Sequence, residues 1–270
     1  MRLYYPVNGL TVKLKEALDV RPGEVISLVG GGGKTTLMFA LARELPAGGG
    51  LVVTTTTTKI LEPSAAETPL LLLEDDEAKL LQMLLQNATE YRHITLARRR
   101  LPSGKLNGIS PGLVMGLAEL EPVSYIIIEA DGAARKPLKA PNATEPVIPD
   151  NTSLVIAMVG VEAVGAHLNE ANVFRPEIVS SLLGMEPGAV ITAGDIARLL
   201  THPQGITKGS PPEARLVPFI NKVDLPGGLA KGRELAQEIL AMRHPRIERV
   251  VLGQTQLPDP VARVVYKKES

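Results

Sequence analysis

One stretch constrains this chain more than any other: residues Glu24 to Thr36 read EVISLVGGGGKTT, an apolar strand that runs into four glycines and then a Lys-Thr-Thr opening an amphipathic helix. Without Cβ atoms, Gly30, Gly31, Gly32 and Gly33 can turn tightly and aim backbone N–H groups at anionic oxygens, and the helix N-terminus adds partial positive charge. Lys34 then reaches the β- and γ-phosphates, the Thr35 hydroxyl holds Mg²⁺, and Thr36 completes the first turn. A plain strand-to-helix turn is the competing reading. Four glycines cost backbone entropy that an ordinary connection would avoid, so the stretch is read as a phosphate-binding loop.

A loop of this kind implies alternating strands and helices, and the rest of the chain supplies them. Expected strands are residues 25–29, 51–56, 69–73, 93–98, 125–128, 154–159, 215–220 and 246–252; expected helices are 10–18, 34–44, 75–85, 111–120, 176–183, 193–200 and 228–242. The uniformly apolar runs Tyr125–Ile128 and Leu154–Val159 read as central, buried parallel strands. Arg98, Arg99 and Arg100 before Pro102-Ser103-Gly104 read as a solvated surface loop, the proline-bearing 136–150 as an extended surface connection, and the residues beyond Pro260 as a tail. The predicted fold is α/β: a mostly parallel sheet flanked by helices in a three-layer, P-loop NTPase-like architecture, one domain over residues 1–270 with an inserted subregion at about 65–120. Ligands of such sheets sit at the carboxyl ends of the strands.

Composition narrows the partners. Lys+Arg and Asp+Glu each number 29, so no basic excess argues for nucleic acid or an anionic membrane. With no Trp, three Phe and five Tyr, aromatic platforms for bases are also not expected. The absence of cysteine excludes disulfides, thiolate nucleophiles and Cys-ligated metal centres. The four histidines show no helical pairing that would suggest a metal site. No secretory signal or membrane span is read from the sequence, so the expected location is cytoplasmic.

Two more strand ends carry chemistry. Ile126–Ile128 leads into Glu129-Ala130-Asp131-Gly132, where a Mg²⁺-nucleotide site needs an acid; Glu129 and Asp131 are the candidate metal-ordering and catalytic carboxylates, against a reading as turn carboxylates. Phe219–Ile220 leads into Asn221-Lys222-Val223-Asp224. An Asp carboxylate there can accept two hydrogen bonds from guanine N1–H and its exocyclic amine, a pattern adenine does not offer, while Asn221 and Lys222 frame the base and the loop. The alternative is a plain turn with Asp224 as a cap. One hydroxyl of Thr54–Thr58 could meet Mg²⁺ or a phosphate, with Lys59 beside it, although a plain β-edge explains most of that run. Arg135, with Lys136 and Lys139 nearby, is a candidate for stabilising phosphoryl transfer or binding an anionic second substrate.

Each motif resembles a known one. The usual spacing G-x-x-x-x-G-K-[ST] would need glycine at Leu28; the shorter form resembles the loop of the ATP-dependent Mur-type amide ligases. Glu129-x-x-Gly132 resembles the E-x-x-G of the metallochaperone GTPases that serve hydrogenase and urease, and Asn221-Lys222-x-Asp224 is the guanine-recognition pattern of GTPases. Taken in order, VGGGGKTT, TTTTTK, IIIEADGAARKPLKAP, FRPEIV, HPQGITKG and NKVD resemble the YqeC family over nearly the whole chain. Members are described as selenium-dependent hydroxylase accessory proteins. The resemblance implies Mg²⁺ with GTP, or ATP, and a role in maturing a molybdenum hydroxylase or its cofactor machinery. Alternatives are an ATP-dependent ligase or kinase acting on an anionic small molecule, and a nucleotide-bound scaffold without turnover.

Overall fold

The computed structural model describes residues 3–4, 12–48 and 50–267. In chain order its first half contains β1 (Leu3–Tyr4), α1 (Leu14–Leu18), β2 (Val25–Gly30), α2 (Lys34–Glu44), β3 (Leu51–Thr56), β4 (Lys59–Leu61), β5 (Leu71–Leu73), α3 (Glu77–Asn87), β6 (His93–Ala97), β7 (Arg99–Arg100), β8 (Lys105–Asn107), α4 (Pro111–Ala118) and β9 (Val123–Glu129). The second half contains β10 (Leu138–Lys139), β11 (Leu154–Gly160), β12 (Val173–Phe174), α5 (Pro176–Leu183), α6 (Ala193–Thr201), β13 (Arg215–Asn221), α7 (Gly228–Ala241), β14 (Arg249–Gly253) and β15 (Val261–Tyr266).

Ten strands form one sheet in the order β1-β15-β14-β13-β11-β2-β9-β3-β6-β5. From β14 to β5 every neighbouring pair is parallel, and β15 closes the other side antiparallel to both β14 and β1. Parallel strands covered on both faces read as unbroken apolar runs, and β2 and β11 are buried along their whole length. The two-residue period of a strand then sorts those runs into two cores. Val25, Val29, Ile126 and Ile128 pack on one face with the apolar sides of α3 to α7. Ile26, Leu28 and Ile127 pack on the other with α1 and α2. This is the expected three-layer α/β architecture.

The chain winds outward from β2 to β3 on one side, and later passes from β9 across β2 to β11 on the other. The point where the winding reverses therefore lies at the carboxyl end of β2, where open α/β sheets bind ligands. Among the described residues no helix is long and apolar enough to cross a membrane.

Five local expectations change. The helix expected at 10–18 begins at Leu14, and residues 10 and 11 lie outside the described residues. The buried strand expected at 69–73 shortens to β5, an edge strand that is only partly buried. The arginine run is not a free loop: Arg99–Arg100 forms β7 of a three-stranded antiparallel sheet with β4 and β8, and its side chains pair with Asp75 and Glu62. The supposed tail beyond Pro260 forms β15, whose β-branched residues cover the sheet edge. The 136–150 connection is partly packed, because β10 pairs in parallel with β12 and buries Leu138 and Lys139.

Candidate functional site

The glycine loop is held from three sides, and that contact explains its composition. The Gly30 N–H donates to Asp131 Oδ2 (3.0 Å), the Gly31 N–H to the Met158 carbonyl (2.9 Å) and the Gly32 N–H to the Lys136 carbonyl (3.0 Å). A Cβ on Gly31 would stand 2.6 Å from the Lys136 carbonyl oxygen, and one on Gly33, at φ 122°, 2.6 Å from Asn221 Nδ2. Close packing of the backbone against its neighbours, as much as turning, thus requires glycine here. The groups aimed outward are those of the α2 first turn, whose N–H donors have no partner one turn back. The donors left available to an anion therefore begin at Gly33 and continue through Lys34, Thr35 and Thr36, three residues later than Gly30, where the sequence suggests the first of them.

β9 stands next to β2, so its end meets the α2 first turn. Thr35 donates its hydroxyl to Glu129 Oε2 at 2.6 Å. Lys34 Nζ donates to the Gly30 carbonyl (2.6 Å) and lies 3.1 Å from Asp131 Oδ1 and 3.8 Å from Glu129 Oε1. Burial pulls the Lys34 ammonium down, but Asp131 and Glu129 outweigh it and hold the group above its ordinary value. Burial pushes the Glu129 carboxyl up, against Lys34 and the Thr35 hydroxyl.

Asp131 is bound on its other side by Lys139. Lys139 Nζ is 3.0 Å from Asp131 Oδ2 and 3.0 Å from Glu145 Oε2, and donates to the Gly132 carbonyl at 2.7 Å. Arg175 completes the row, 2.7 Å from Glu145, with its guanidinium over the Phe174 ring. Lys139 is 0% exposed and Asp131 1%, so both belong to the support behind the loop. This corrects the expectation that Lys139 is a solvent-facing basic residue free to meet a second substrate. Nothing in its sequence neighbourhood distinguishes it from Lys136, which donates to the Ala171 carbonyl instead.

At the other strand end, Asn221 Nδ2 donates to the Gly32 carbonyl (2.8 Å) and to Thr255 Oγ1 (2.9 Å), while the Thr255 N–H donates to Asn221 Oδ1. Asn221 therefore ties β13 to the glycine loop. Lys222, at φ 64°, pairs with Glu162, and Asp224 is exposed just beyond it. The threonine run ends an interior strand, not an edge, and its hydroxyls are taken up locally: Thr54 by His93 and Thr95, Thr55 by the Leu96 carbonyl, Thr56 by the Glu129 carbonyl and Thr57 by the Val147 carbonyl.

A cleft of about 670 Å³ opens over the α2 N-terminus. Residues 32–36 and Glu129 line one part of it, Ala134 and Arg135, both with positive φ, another, and Lys222 with Gln256 a third. The remaining wall comes from the small sheet, from Lys59, Ile60 and Leu61 of β4 and Lys105 of β8. Asp131 and Asp224 are not among the lining residues. Lys105, Thr255 and Glu145 carry no motif in the sequence, and Arg175 stands there only in the FRPEIV stretch. Thr255 and Lys105 follow or begin strands that meet the site only through sheet pairing.

Comparison with known proteins places the chain. The model of the family described as YqeC protein matches residues 26–177. The YqeC protein of Escherichia coli (strain K12) is 34% identical over 241 residues, which cover 88% of this chain and 90% of that protein. Among solved structures, the hydrogenase maturation factor HypB from Archaeoglobus fulgidus is similar with a TM-score of 0.42 and 12% identity, over 92% of this chain and 87% of that one. The chain belongs to the YqeC family.

Proposed function

We propose that this member of the YqeC family binds a Mg²⁺-nucleoside triphosphate at the N-terminus of α2 and hydrolyses it, with GTP preferred over ATP, as a maturation factor for selenium-dependent molybdenum hydroxylases. The observation that carries the reading is the meeting of Lys34 and Thr35 on the α2 first turn with Glu129 at the end of the neighbouring strand. First-turn N–H groups and the helix dipole favour a phosphate there. Lys34 exchanges the Gly30 carbonyl for phosphate oxygens. The 2.6 Å contact between the Thr35 hydroxyl and Glu129 sets two hard oxygen donors side by side, a set that fits Mg²⁺ once phosphate oxygens and water complete it. When bound, Mg²⁺ neutralises charge on the β- and γ-phosphates.

Glu129 is the carboxylate assigned to the metal side and to orienting water. Asp131, first expected to share that role, is assigned to holding Lys34 and the Gly30 N–H. Arg135, exposed on the cleft wall, stabilises charge on the transferred phosphoryl group. Asp224 reads the guanine edge beside the Lys222 stem, and Asn221 keeps the base loop and the phosphate loop in register through Gly32 and Thr255. An ATP-dependent ligase or kinase is the second reading, supported by the shortened glycine spacing.

Calorimetric titration of GTP, ATP and their diphosphates with Mg²⁺ tests this. Asp224→Ala is expected to abolish the GTP preference; an unchanged GTP/ATP ratio means the base site is elsewhere. If Lys34→Ala binds triphosphate as tightly as the parent, the phosphate-loop reading fails.

A further inference from the structure

The small three-stranded sheet is built to present two lysines to the cleft. In the antiparallel register Lys59 stands opposite Asn107, Leu61 opposite Lys105 and Ile60 opposite Leu106. Alternation along each strand sends Ile60 and Leu106 inward, where they are buried in the core shared with α2. The same alternation puts Lys59 and Lys105 on the other face, at diagonal positions beside Leu61 and Asn107, and Lys59, Leu61 and Lys105 line the cleft.

Their charges are treated differently from the other basic residues of this sheet. Next to them Arg98 and Arg99 pair with Asp75, and Arg100 pairs with Glu62. Lys59 and Lys105 have no ion-pair partner among the described residues, nor does Arg135 across the cleft. Gathering cationic groups that no carboxylate pairs directly costs Coulomb energy, which an anion in the cleft would offset. A triphosphate does not require them, since the α2 first turn, Lys34 and a Mg²⁺ at Thr35 and Glu129 already face its phosphates. Both lysines nonetheless line the same cleft as Glu129 and the α2 first turn, so an anion bound by them lies in the compartment that the nucleotide reading assigns to the triphosphate.

We infer that Lys59 and Lys105 form a second oxyanion subsite, which takes a phosphate-bearing small molecule bound next to the nucleotide. The inference rests on the nucleotide reading and names the class of second substrate or effector for the same cleft.

Inorganic phosphate is the probe, titrated by calorimetry into the full chain saturated with Mg²⁺ and a non-hydrolysable triphosphate analogue so that the glycine loop is filled. Saturable binding is expected, and Lys59→Ala/Lys105→Ala should weaken it about tenfold or more while changing triphosphate affinity by less than about threefold. Arg99→Ala/Arg100→Ala, on the same sheet but facing their own carboxylates, should leave phosphate affinity unchanged. The inference is overturned if the loaded parent takes up no phosphate, or if the arginine pair weakens phosphate binding as much as the lysine pair does. It is also overturned if the lysine variant loses triphosphate affinity in equal measure, which would make both lysines nucleotide ligands. A parent that binds phosphate nowhere but binds triphosphate sinks only this inference; one that binds no triphosphate sinks the nucleotide reading and this with it.

Discussion

Lys34 and Lys139 approach the same carboxylate from opposite sides, at 3.1 Å from Asp131 Oδ1 and 3.0 Å from Asp131 Oδ2, and both are almost free of solvent. Their surroundings differ. Lys34 sits on the α2 first turn, lines the cleft, and has the Gly30 carbonyl as its shortest contact. Lys139 faces away from the cleft, fixed by Gly132, Glu145 and the Phe174 ring. One ammonium is reachable from the cleft and the other is not. In the proposed site, with Lys139 in place, Asp131 would keep a counter-charge when Lys34 turned to a phosphate, so the exchange would not strand a buried anion.

The largest effect should therefore come from the lysine farther from the chemistry. Lys139→Met removes the shared partner of Asp131 and Glu145 and is expected to cost about 3–5 kcal/mol of stability in urea unfolding. A loss comparable to that of an exposed ion pair would break the contrast.

A third buried base calibrates it. His93 is buried between Thr54 and the Phe39 ring with no carboxylate paired to it among the described residues, and burial, then the Arg43 charge, pushes it down to about 4. Its folded value lies below its unfolded value of 6.5, so its stabilising contribution is complete above pH 6.5 and is lost as pH falls towards 4. The amount at stake is about 3 kcal/mol, and His93→Gln should flatten the fall in unfolding free energy between pH 7 and pH 4.5. An unchanged slope would place the acid sensitivity elsewhere.

Lys34→Ala should show the opposite balance to Lys139→Met: triphosphate affinity down about 100-fold, or about 2.7 kcal/mol, with a smaller loss of stability because Asp131 retains Lys139. If Lys34→Ala unfolds more readily than Lys139→Met, the division of roles is reversed. The smallest effect is a titration. Burial raises Glu145, but Lys139 and Arg175 outweigh it and hold the carboxyl below its ordinary value, whereas Glu129 is raised. Glu145 thus contributes stability above the usual carboxylate range that is lost as pH falls through its folded value; Glu129 contributes below that range and loses it as pH rises. Carboxyl NMR should find the two on opposite sides of 4.5, with Lys139→Met moving Glu145 upward and leaving Glu129 nearly in place.

Much of this molecule is legible in one dimension. Central strands declared themselves because burial on both faces demands continuous apolar residues, as in Ile126–Ile128 and Leu154–Val159. The glycine loop declared itself because so many consecutive residues without Cβ have few other uses. The short strands did not: β4, β7, β8 and β10 have two or three residues each, too few for a period to show, and all four carry lysine or arginine. Arg98–Arg100 looked solvated because Asp75 and Glu62 lie more than twenty residues away in sequence.

The sequence by itself determined the layered α/β plan, the strand-loop-helix at Gly30–Thr36 and the three acidic or polar strand ends, because periodicity and backbone freedom are local properties written residue by residue. Tertiary structure alone decided which charges are spent and which are available. Lys136 and Lys139 are three residues apart, yet one lies at the cleft and the other is sealed against Asp131, and Lys59 and Lys105 come to one cleft wall only through strand pairing. A side chain's charge is fixed by its chemistry. Its partner is fixed by the packing of segments distant in sequence, and that packing places Lys34 and Lys139 on one carboxylate with different freedom to leave it.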